Sequence, residues 1–566
     1  MSLQPSADKD VPAETRKVAK AAFPKGNVYL WVRDELGELY KDELFADLYA
    51  QRGQPTLSPG RLALVSVMQF MEGLSDRQAA DAVRARIDWK YALGLELTDP
   101  GFDYSVLSEF RQRLSTNSEK QQLLDQLLKA LVSRGWIKMR GKQRTDSTHV
   151  LAAIRTLNRL ELVGETMRRA LNELAEADPE WLTQIAKSEW YPRYSQRMDS
   201  IRLPKKTEER EALILTIGED GYILMNALLE NKENQGLWKL PGVEVLRRVW
   251  LQQYWIEYSG DDNDHYDVHL RKDDNQPPGN LRIHSPYDVD ARYSAKRSTE
   301  WVGYKVHLTE TCDKDQPHII TNIETTPASE QDVSVTQQIH LDLQSKQLLP
   351  DEHLMDAGFI DAELLVDAQD DFGITICGPV KKDVRWQANQ PDGLGLSQFQ
   401  IDWEQRTVTC PQGKTSHAWS EQKTAYYETV HRIKFRPSVC KACLVRSRCT
   451  RSKRGPRYLV ILPQAQHEAL QKARKEQQTA EFWKRYAKRS GIEGTISQGV
   501  RGFDLRCSRY IGLVKTNLQM VLTATAMNLY RIYNWVQEVP LALTRTSHFA
   551  RLAPEPALIS SSWRVN

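Results

Sequence analysis

From Trp301 to Val380 the chain carries a pattern that few folds accept: a period-two hydrophobic stretch, then short apolar runs alternating with helical ones. WVGYKVHLTETC (301–312) and HIITNIETT (318–326) are β-branched and alternating, and the turn-rich DKDQP between them predicts an antiparallel hairpin. A helix over about 329–345 follows, then EHLMDAG as a strand, DAELLVDAQDD as a helix and GITICGPV as a further strand. Strand and helix in alternation call for a parallel element beside the hairpin. Upstream, QRTDSTHV (143–150) reads as one more short strand, with Asp146 in its middle. In order, the chain gives one strand, an insertion, a hairpin, helix, strand, helix, strand.

The rest of the 566 residues is arranged around that sheet. Residues 1–27 lack apolar periodicity and are expected to be a disordered lead-in, and 28–140 form a helical N-terminal domain. Its punctuation is clear. Ser58-Pro59 supplies an N-cap with proline at the first helical position, and Gly73 ends that helix. Ser75 to Gln78 is a capping box, Asp103 or Ser105 starts LSEFRQRL, and EKQQLLDQLLKALVSRG stops at Gly135. Short helices joined by tight turns make a bundle that can hold a helix-turn-helix. Arg77, Arg84, Arg86, Arg111 and Arg113 are expected on its surface, as DNA contacts or as ordinary solvated faces. Residues 155–280 read as a helical insertion ending in a polar linker (260–280), and 382–465 as a short-stranded, Cys-rich basic insertion. The sheet is thus assembled from 141–154, 281–381 and 466–537, with a final apolar helix from about 513 and a loose tail over 538–566.

Composition excludes some classes. With 40% hydrophobic and 27% charged residues the chain is a globular protein of several domains. No run approaches the ~18 consecutive apolar residues of a membrane span, and the polar N-terminus lacks a signal peptide, so a cytoplasmic location is expected. Net charge is only +3, but its distribution is uneven: ten Lys or Arg and no acid lie from His431 to Arg457. Such a block is either a solvated segment or an electrostatic footprint for phosphates.

Seven cysteines in a chain of this kind do not point to disulfides. Cys312, Cys377 and Cys507 read as small buried apolar residues. Cys410, in a CPxG turn, Cys440-x-x-Cys443 and Cys449 form a candidate structural zinc site. Their alternative is four reduced cysteines in a loop-rich subdomain. Zinc there would staple a segment short of apolar residues and present Lys441, Arg446, Arg448, Arg451, Lys453 and Arg454 to DNA.

With 74 acidic residues, any three can be called a site, so context must choose. Asp146 lies mid-strand, where a carboxylate is costly unless compensated. Asp356 follows HLM at the carboxyl end of a strand, where ligand-binding residues collect in such sheets. Glu493 lies near the end of a helix rich in Arg and Lys. Each has a plainer reading: a salt bridge with Arg144, the N-cap of the next helix, and a surface ion pair.

Three stretches tip the balance: QRTDSTHV, HLMDAGFIDAELL, and YAKRSGIEGTISQGVRGFDLRCSRYIGLVKTNLQMVLTATAMNL. They resemble, in order, the first-aspartate strand, second-aspartate block and glutamate block of bacterial insertion-sequence transposases of the DDE superfamily, whose catalytic fold is ribonuclease-H-like. SPGRLALVSVMQFMEGLSDRQAADAVRARIDWKYALGL with FDYSVLSEFRQRL resembles their InsH-type N-terminal domain, and DARYSAKRSTEWVGYKVHL the lead into their second strand. Tyr486, Arg489 and Glu493 match the family's Y-R-E spacing. The lysine often found seven places after the glutamate is Val500 here, with Arg501 beside it.

The resemblance implies a multidomain α/β protein with a ribonuclease-H-like mixed sheet. It implies that Asp146, Asp356 and Glu493 hold two Mg²⁺ or Mn²⁺ ions, and that Tyr486 and Arg489 touch transposon-end phosphates. Lys296, Lys305, Arg501, Arg506, Arg509 and Lys515 are further DNA-binding candidates, or else an exposed basic face. The implied partners are the terminal inverted repeats and target DNA as duplexes, with no membrane, and a dimer in the DNA complex. The competing readings are a DNA-holding relic that no longer cuts, and a ribonuclease-H-like nuclease without strand transfer.

Overall fold

The computed structural model describes residues 3, 10–50, 52–53, 55–116, 121–201, 203–231, 234–259, 265–296, 298–424, 427–540 and 552. Its centre is a six-stranded mixed sheet: β1 (Lys142–Leu151), β2 (Arg292–Lys296), β3 (Thr299–Thr311), β4 (Ile320–Pro327), β5 (Glu352–Met355) and β6 (Thr375–Cys377). The order is β2-β3-β1-β5-β6, with β4 also on β3. β3 pairs antiparallel with β1, β2 and β4, while β5 runs parallel to both β1 and β6. The hairpin and parallel element expected from sequence are therefore both present.

One close approach and one parallel pairing define this register. Gly303 has φ +154°, and a Cβ there would stand 2.2 Å from the Val150 carbonyl oxygen, so β1 and β3 meet where only glycine fits. Beyond the last β1–β5 pair, Thr145 with Met355, the next residue on each strand is an aspartate, Asp146 and Asp356. Parallel pairing thus sets these two carboxylates side by side.

The N-terminal helices obey their sequence punctuation. Ser58 caps Pro59–Glu72, Gly73 adopts the left-handed conformation at its end, and Ser75 with Gln78 forms the capping box of Asp76–Ala85. The lead-in expected to be disordered instead contains a helix, Ala13–Ala22, whose Ala19 is buried with Leu30 and Tyr91, and whose Thr15 donates to the Leu95 carbonyl. Its apolar positions were too few to read as periodic. Arg111 also departs from expectation. It is buried, paired with Asp76 at 2.5 Å and set over the Tyr510 ring, so it holds two parts of the fold together. Arg86 is likewise engaged, by Glu72 and Asp88.

The N-terminal helices and the sheet share one core. The helix Leu513–Val536 is buried almost all round from Thr516 to Leu529, and a single apolar cluster runs from Tyr29 through Val306 to Ile532. The insertion after β1 has its own core, in which Leu160, Met167, Ile217, Leu246 and Trp250 pack together. What read as a linker carries a strand: Tyr254–Ser259 and His265–Leu270 pair antiparallel. Its helix Thr207–Glu230 is long and apolar enough to cross a membrane, which no run of apolar residues had indicated. In the fold it packs Ile217 and Leu224 inward, and its Asp220 accepts from the Tyr194 hydroxyl. The Cys-rich segment has a third, smaller core around Val408, Ile433, Phe435 and Leu459.

A buried ionic cluster joins these elements. Glu310 on β3 is fully buried, receiving Arg144 Nε at 2.7 Å, Arg531 Nη1 at 2.8 Å and the Thr495 hydroxyl at 2.5 Å. Burial works to raise its carboxyl pKa, but Arg531 and Arg144 outweigh it and hold the carboxyl below its ordinary value. Because the folded value is depressed, this stabilisation is present above the ordinary carboxylate range and is lost as pH falls through the folded value. Removing one partner strands buried charge, so Arg531→Ala is expected to cost about 3 kcal/mol in urea unfolding at pH 7. The loss of stability on acidification should be smaller in Glu310→Gln than in the parent, measured by the same method from pH 7 to pH 3.

Candidate active site

Asp146 stands at the middle of β1, opposite Leu308 of β3, and its Oδ1 accepts from the Ser147 amide at 2.8 Å. Asp356 leaves the end of β5. Its Oδ1 accepts from the Ala357 amide at 2.6 Å, capping the short 3-10 turn Ala357–Phe359. The following helix, Ala362–Phe372, takes its cap from Asp361 instead, so Asp356 keeps Oδ2 for the site. Glu493 lies in the first turn of the helix Gly491–Gly502. That helix comes close because Gly491 faces the Arg144 guanidinium, where a Cβ would sit 2.1 Å from Nη1.

The three carboxylates meet at one cation. Arg489 Nη2 is 2.6 Å from Asp146 Oδ2 and 3.9 Å from Asp356 Oδ2, and Nη1 is 3.7 Å from Glu493 Oε1. Side-chain exposure rises from 14% for Asp146 to 46% for Asp356 and 59% for Glu493, which makes a floor and two open walls. Burial pushes the Asp146 carboxyl pKa up, against the pull of Arg489, the Ser147 amide and Lys296, while Asp356 adds to the rise. Arg144, the salt-bridge partner considered for Asp146, turns instead to Glu310.

Tyr486 sits above this group, its ring stacked on Phe482 at 5.9 Å. Its hydroxyl pKa is pushed up to about 12, by burial first and by Asp356 and Asp146, against Arg489. Arg501 and Arg506 line a groove of about 390 Å³ with Asp146, Ser147, Thr148 and Glu493. Arg506 is braced there by Thr148, whose hydroxyl accepts from its Nε at 2.9 Å. Val500, at the position of the family's lysine, lines the same groove.

The remaining basic candidates are placed differently. Lys296 ends β2, near enough for its charge to act on Asp146. Lys305 donates to the Glu330 carbonyl and to Asp332, and Asp332 also receives the Ser147 hydroxyl. Arg509 donates to the Leu74 carbonyl and lies over the Phe70 ring, joining the site's C-terminal flank to the N-terminal helices. Lys515 lines a separate hollow with Arg111 and Tyr510.

Asp332 and Ser147 were not singled out from sequence. Nor were Glu310 and Arg531, although Arg531 carries a signal, as the one charge in the apolar run LTATAMNLYRIYNW.

Cys410, Cys440 and Cys449 are partly buried against the small core of their subdomain. Burial raises the Cys449 thiol pKa, Arg457 lowers it, and Cys440, Cys410 and Cys443 each raise it further, so these three lie within electrostatic reach of Cys449. All seven cysteines are free; Cys312 and Cys377 are buried as expected, but Cys507 is exposed. Cys507 follows Arg506 along the edge of β1, beside Leu151, which keeps it at the surface. Among the basic residues of this segment, Arg446 braces the carbonyls of Ser452, Lys453 and Gly455, Arg448 pairs with Asp392, and Arg451 covers Trp386. As the side chains stand, no group of three or more His, Cys, Asp or Glu among the described residues is placed to hold a metal ion, the three carboxylates and the four cysteines included.

Residues 18–113 match a transposase domain family, DUF772, and residues 409–533 match a transposase DDE domain family. The first covers the N-terminal helices. The second runs from the cysteine segment through Tyr486, Arg489 and Glu493 to the last helix. No curated protein and no solved structure matches the chain. The two family matches, in this order along one sequence, support an insertion-sequence transposase of the DDE superfamily.

Proposed function

We propose that this transposase cleaves the ends of its element and joins the freed 3′-hydroxyl to target DNA, with Asp146, Asp356 and Glu493 holding two Mg²⁺ or Mn²⁺ ions. The observation that carries this reading is the convergence of three carboxylates on one guanidinium at the carboxyl end of β5. Oxygen donors of this kind suit a hard divalent cation, and the Arg489 charge among them marks where positive charge is favoured. When bound, the ions neutralise charge at the scissile phosphate and favour deprotonation of the attacking hydroxyl or water.

The chain's own residues position the DNA. The antiparallel β4-β3-β1 group continued by parallel β5 and β6 supports a ribonuclease-H-like core, which holds Asp146 and Asp356 rigidly while the Gly491–Gly502 helix carries Glu493. Arg501 and Arg506 take backbone phosphates along the groove, with Lys296 at its rim. Tyr486 offers its hydroxyl and ring beside them. Cleavage and joining are both in-line displacements at phosphorus and can share this site. Two ends must be held together, so the working complex is a dimer on duplex DNA, acting at the nucleoid.

The cysteine segment has few apolar side chains of its own, and Cys410, Cys440 and Cys443 lie close enough to act on Cys449. We assign Cys410, Cys440, Cys443 and Cys449 to a structural zinc that completes this subdomain, separate from the catalytic ions.

Wild-type protein with Mg²⁺ or Mn²⁺ is expected to nick a labelled terminal-repeat duplex and join it to target DNA. Asp356→Asn should reduce both by well over the roughly 100-fold that loss of a supporting partner of a ligand costs, with DNA binding retained. Equal activity would remove Asp356 from the site. Binding without cleavage by wild type would favour a DNA-holding relic, and nicking without joining a nuclease. For the cysteines, mercurial titration should release about one equivalent of zinc per chain, and none from a Cys440→Ser, Cys443→Ser double variant. A zinc-free wild-type protein would discard that site.

A further inference from the structure

We propose that Arg489 is a displaceable counter-cation. In the free protein its guanidinium stands among Asp146, Asp356 and Glu493 and opposes divalent-metal binding. A DNA phosphate draws it away, so metal loading is coupled to DNA engagement. The inference rests on the reading of these three carboxylates as the metal ligands.

Arginine cannot shed its charge to make room, so a metal must compete with it directly. Arg489 is only 13% exposed, and it reaches all three carboxylates. Its hold is nevertheless uneven. One contact, to Asp146 at 2.6 Å, has hydrogen-bond length, while those to Glu493 and Asp356, at 3.7 and 3.9 Å, are Coulombic only. Its Nε is buried with no hydrogen-bond partner. A buried guanidinium left partly unsatisfied is a group that a better partner can recruit.

A phosphate is such a partner, because two of its oxygens can take the guanidinium in parallel. The backbone permits the move. Arg489 lies in the 3-10 stretch Ala487–Ser490 between the helices Ala480–Tyr486 and Gly491–Gly502, a weakly hydrogen-bonded joint at which a side chain can be re-aimed. Beside it opens the groove lined by Arg501 and Arg506, where a DNA backbone would lie. Lys305 cannot play this part, since the Glu330 carbonyl and Asp332 hold its ammonium.

Once Arg489 leaves, the three carboxylates lose the cation that reaches all of them, Asp146 keeps only the weaker pull of Lys296, and the site's demand for divalent cations rises. The coupling is reciprocal: whatever factor DNA adds to metal affinity, metal adds to DNA affinity. A protein free of DNA would therefore be slow to load metal and chemically idle.

The test is Mn²⁺ binding by the full chain, followed by the electron paramagnetic resonance of free Mn²⁺, with and without a precleaved terminal-repeat duplex. R489Q, without DNA, is expected to bind Mn²⁺ about tenfold or more tightly than wild type, within the usual range of such couplings. The duplex should raise wild-type affinity by a similar factor and leave R489Q nearly unchanged. R489K, which keeps the charge, should follow wild type, and D356N should abolish this binding in every background. If R489Q binds no more tightly while D356N still abolishes binding, the metal site stands and the counter-cation role is overturned. If D356N changes nothing, the metal-site reading itself fails, and this inference with it. Should R489Q not fold, wild type alone decides, because no gain in Mn²⁺ affinity on adding duplex overturns the proposal.

Discussion

The arrangement depends on a carboxylate that never meets the substrate. Glu310 draws together Arg144 from β1, Thr495 from the helix that bears Glu493, and Arg531 from the last helix. A buried charge is tolerated only when its lone pairs are taken, and here strong donors take them. The consequence is geometric. The Glu493 helix cannot slide along the sheet without breaking a bond to Glu310, and Arg144 further ties the sheet to the Lys488 carbonyl, just ahead of that helix.

Charge is layered through the same contacts. Arg144 and Asp146 are two apart on one strand and so share a face. Two guanidiniums against one glutamate leave an excess positive charge behind an acidic floor, and Arg489 then lies between that floor and solvent. The site is thus a stack of alternating charges. Its innermost layer is fully satisfied, whereas Arg489 is held closely by Asp146 alone and keeps a buried nitrogen unpaired.

Much of this was legible in the sequence, for physical reasons. Period-two alternation and a turn-rich break defined the β3–β4 hairpin, and caps at Ser58, Gly73 and Ser75 placed the N-terminal helices correctly. Context alone left Asp146 and Asp356 with plainer readings, and it was the resemblance of their surrounding stretches to the DDE transposases that singled them out. What stayed hidden was non-local. Nothing in TEWVGYKVHLTET says that Glu310 will find Arg531, more than two hundred residues later. The pairing of Asp146 with Arg489 rather than Arg144 follows from how a helix docks on the sheet. Arg111 looked like a surface arginine because helical spacing does not reveal that Asp76 and Tyr510 will cover it. The helix Ala13–Ala22 and the strand His265–Leu270 were missed for a related reason: short polar elements owe their existence to what they pack or pair against.

The helix Leu513–Val536 also sets the order of events at the ribosome. It fills the centre of the core that the N-terminal helices share with the sheet, and it supplies Arg531 to Glu310. Until it has been synthesised, the apolar faces of segments made hundreds of residues earlier lack their common partner, and contacts of such long sequence separation form late. A nascent chain that has already translated both aspartates and the glutamate is therefore still without an assembled site. The three carboxylates come together only after the helix Leu513–Val536 has been made.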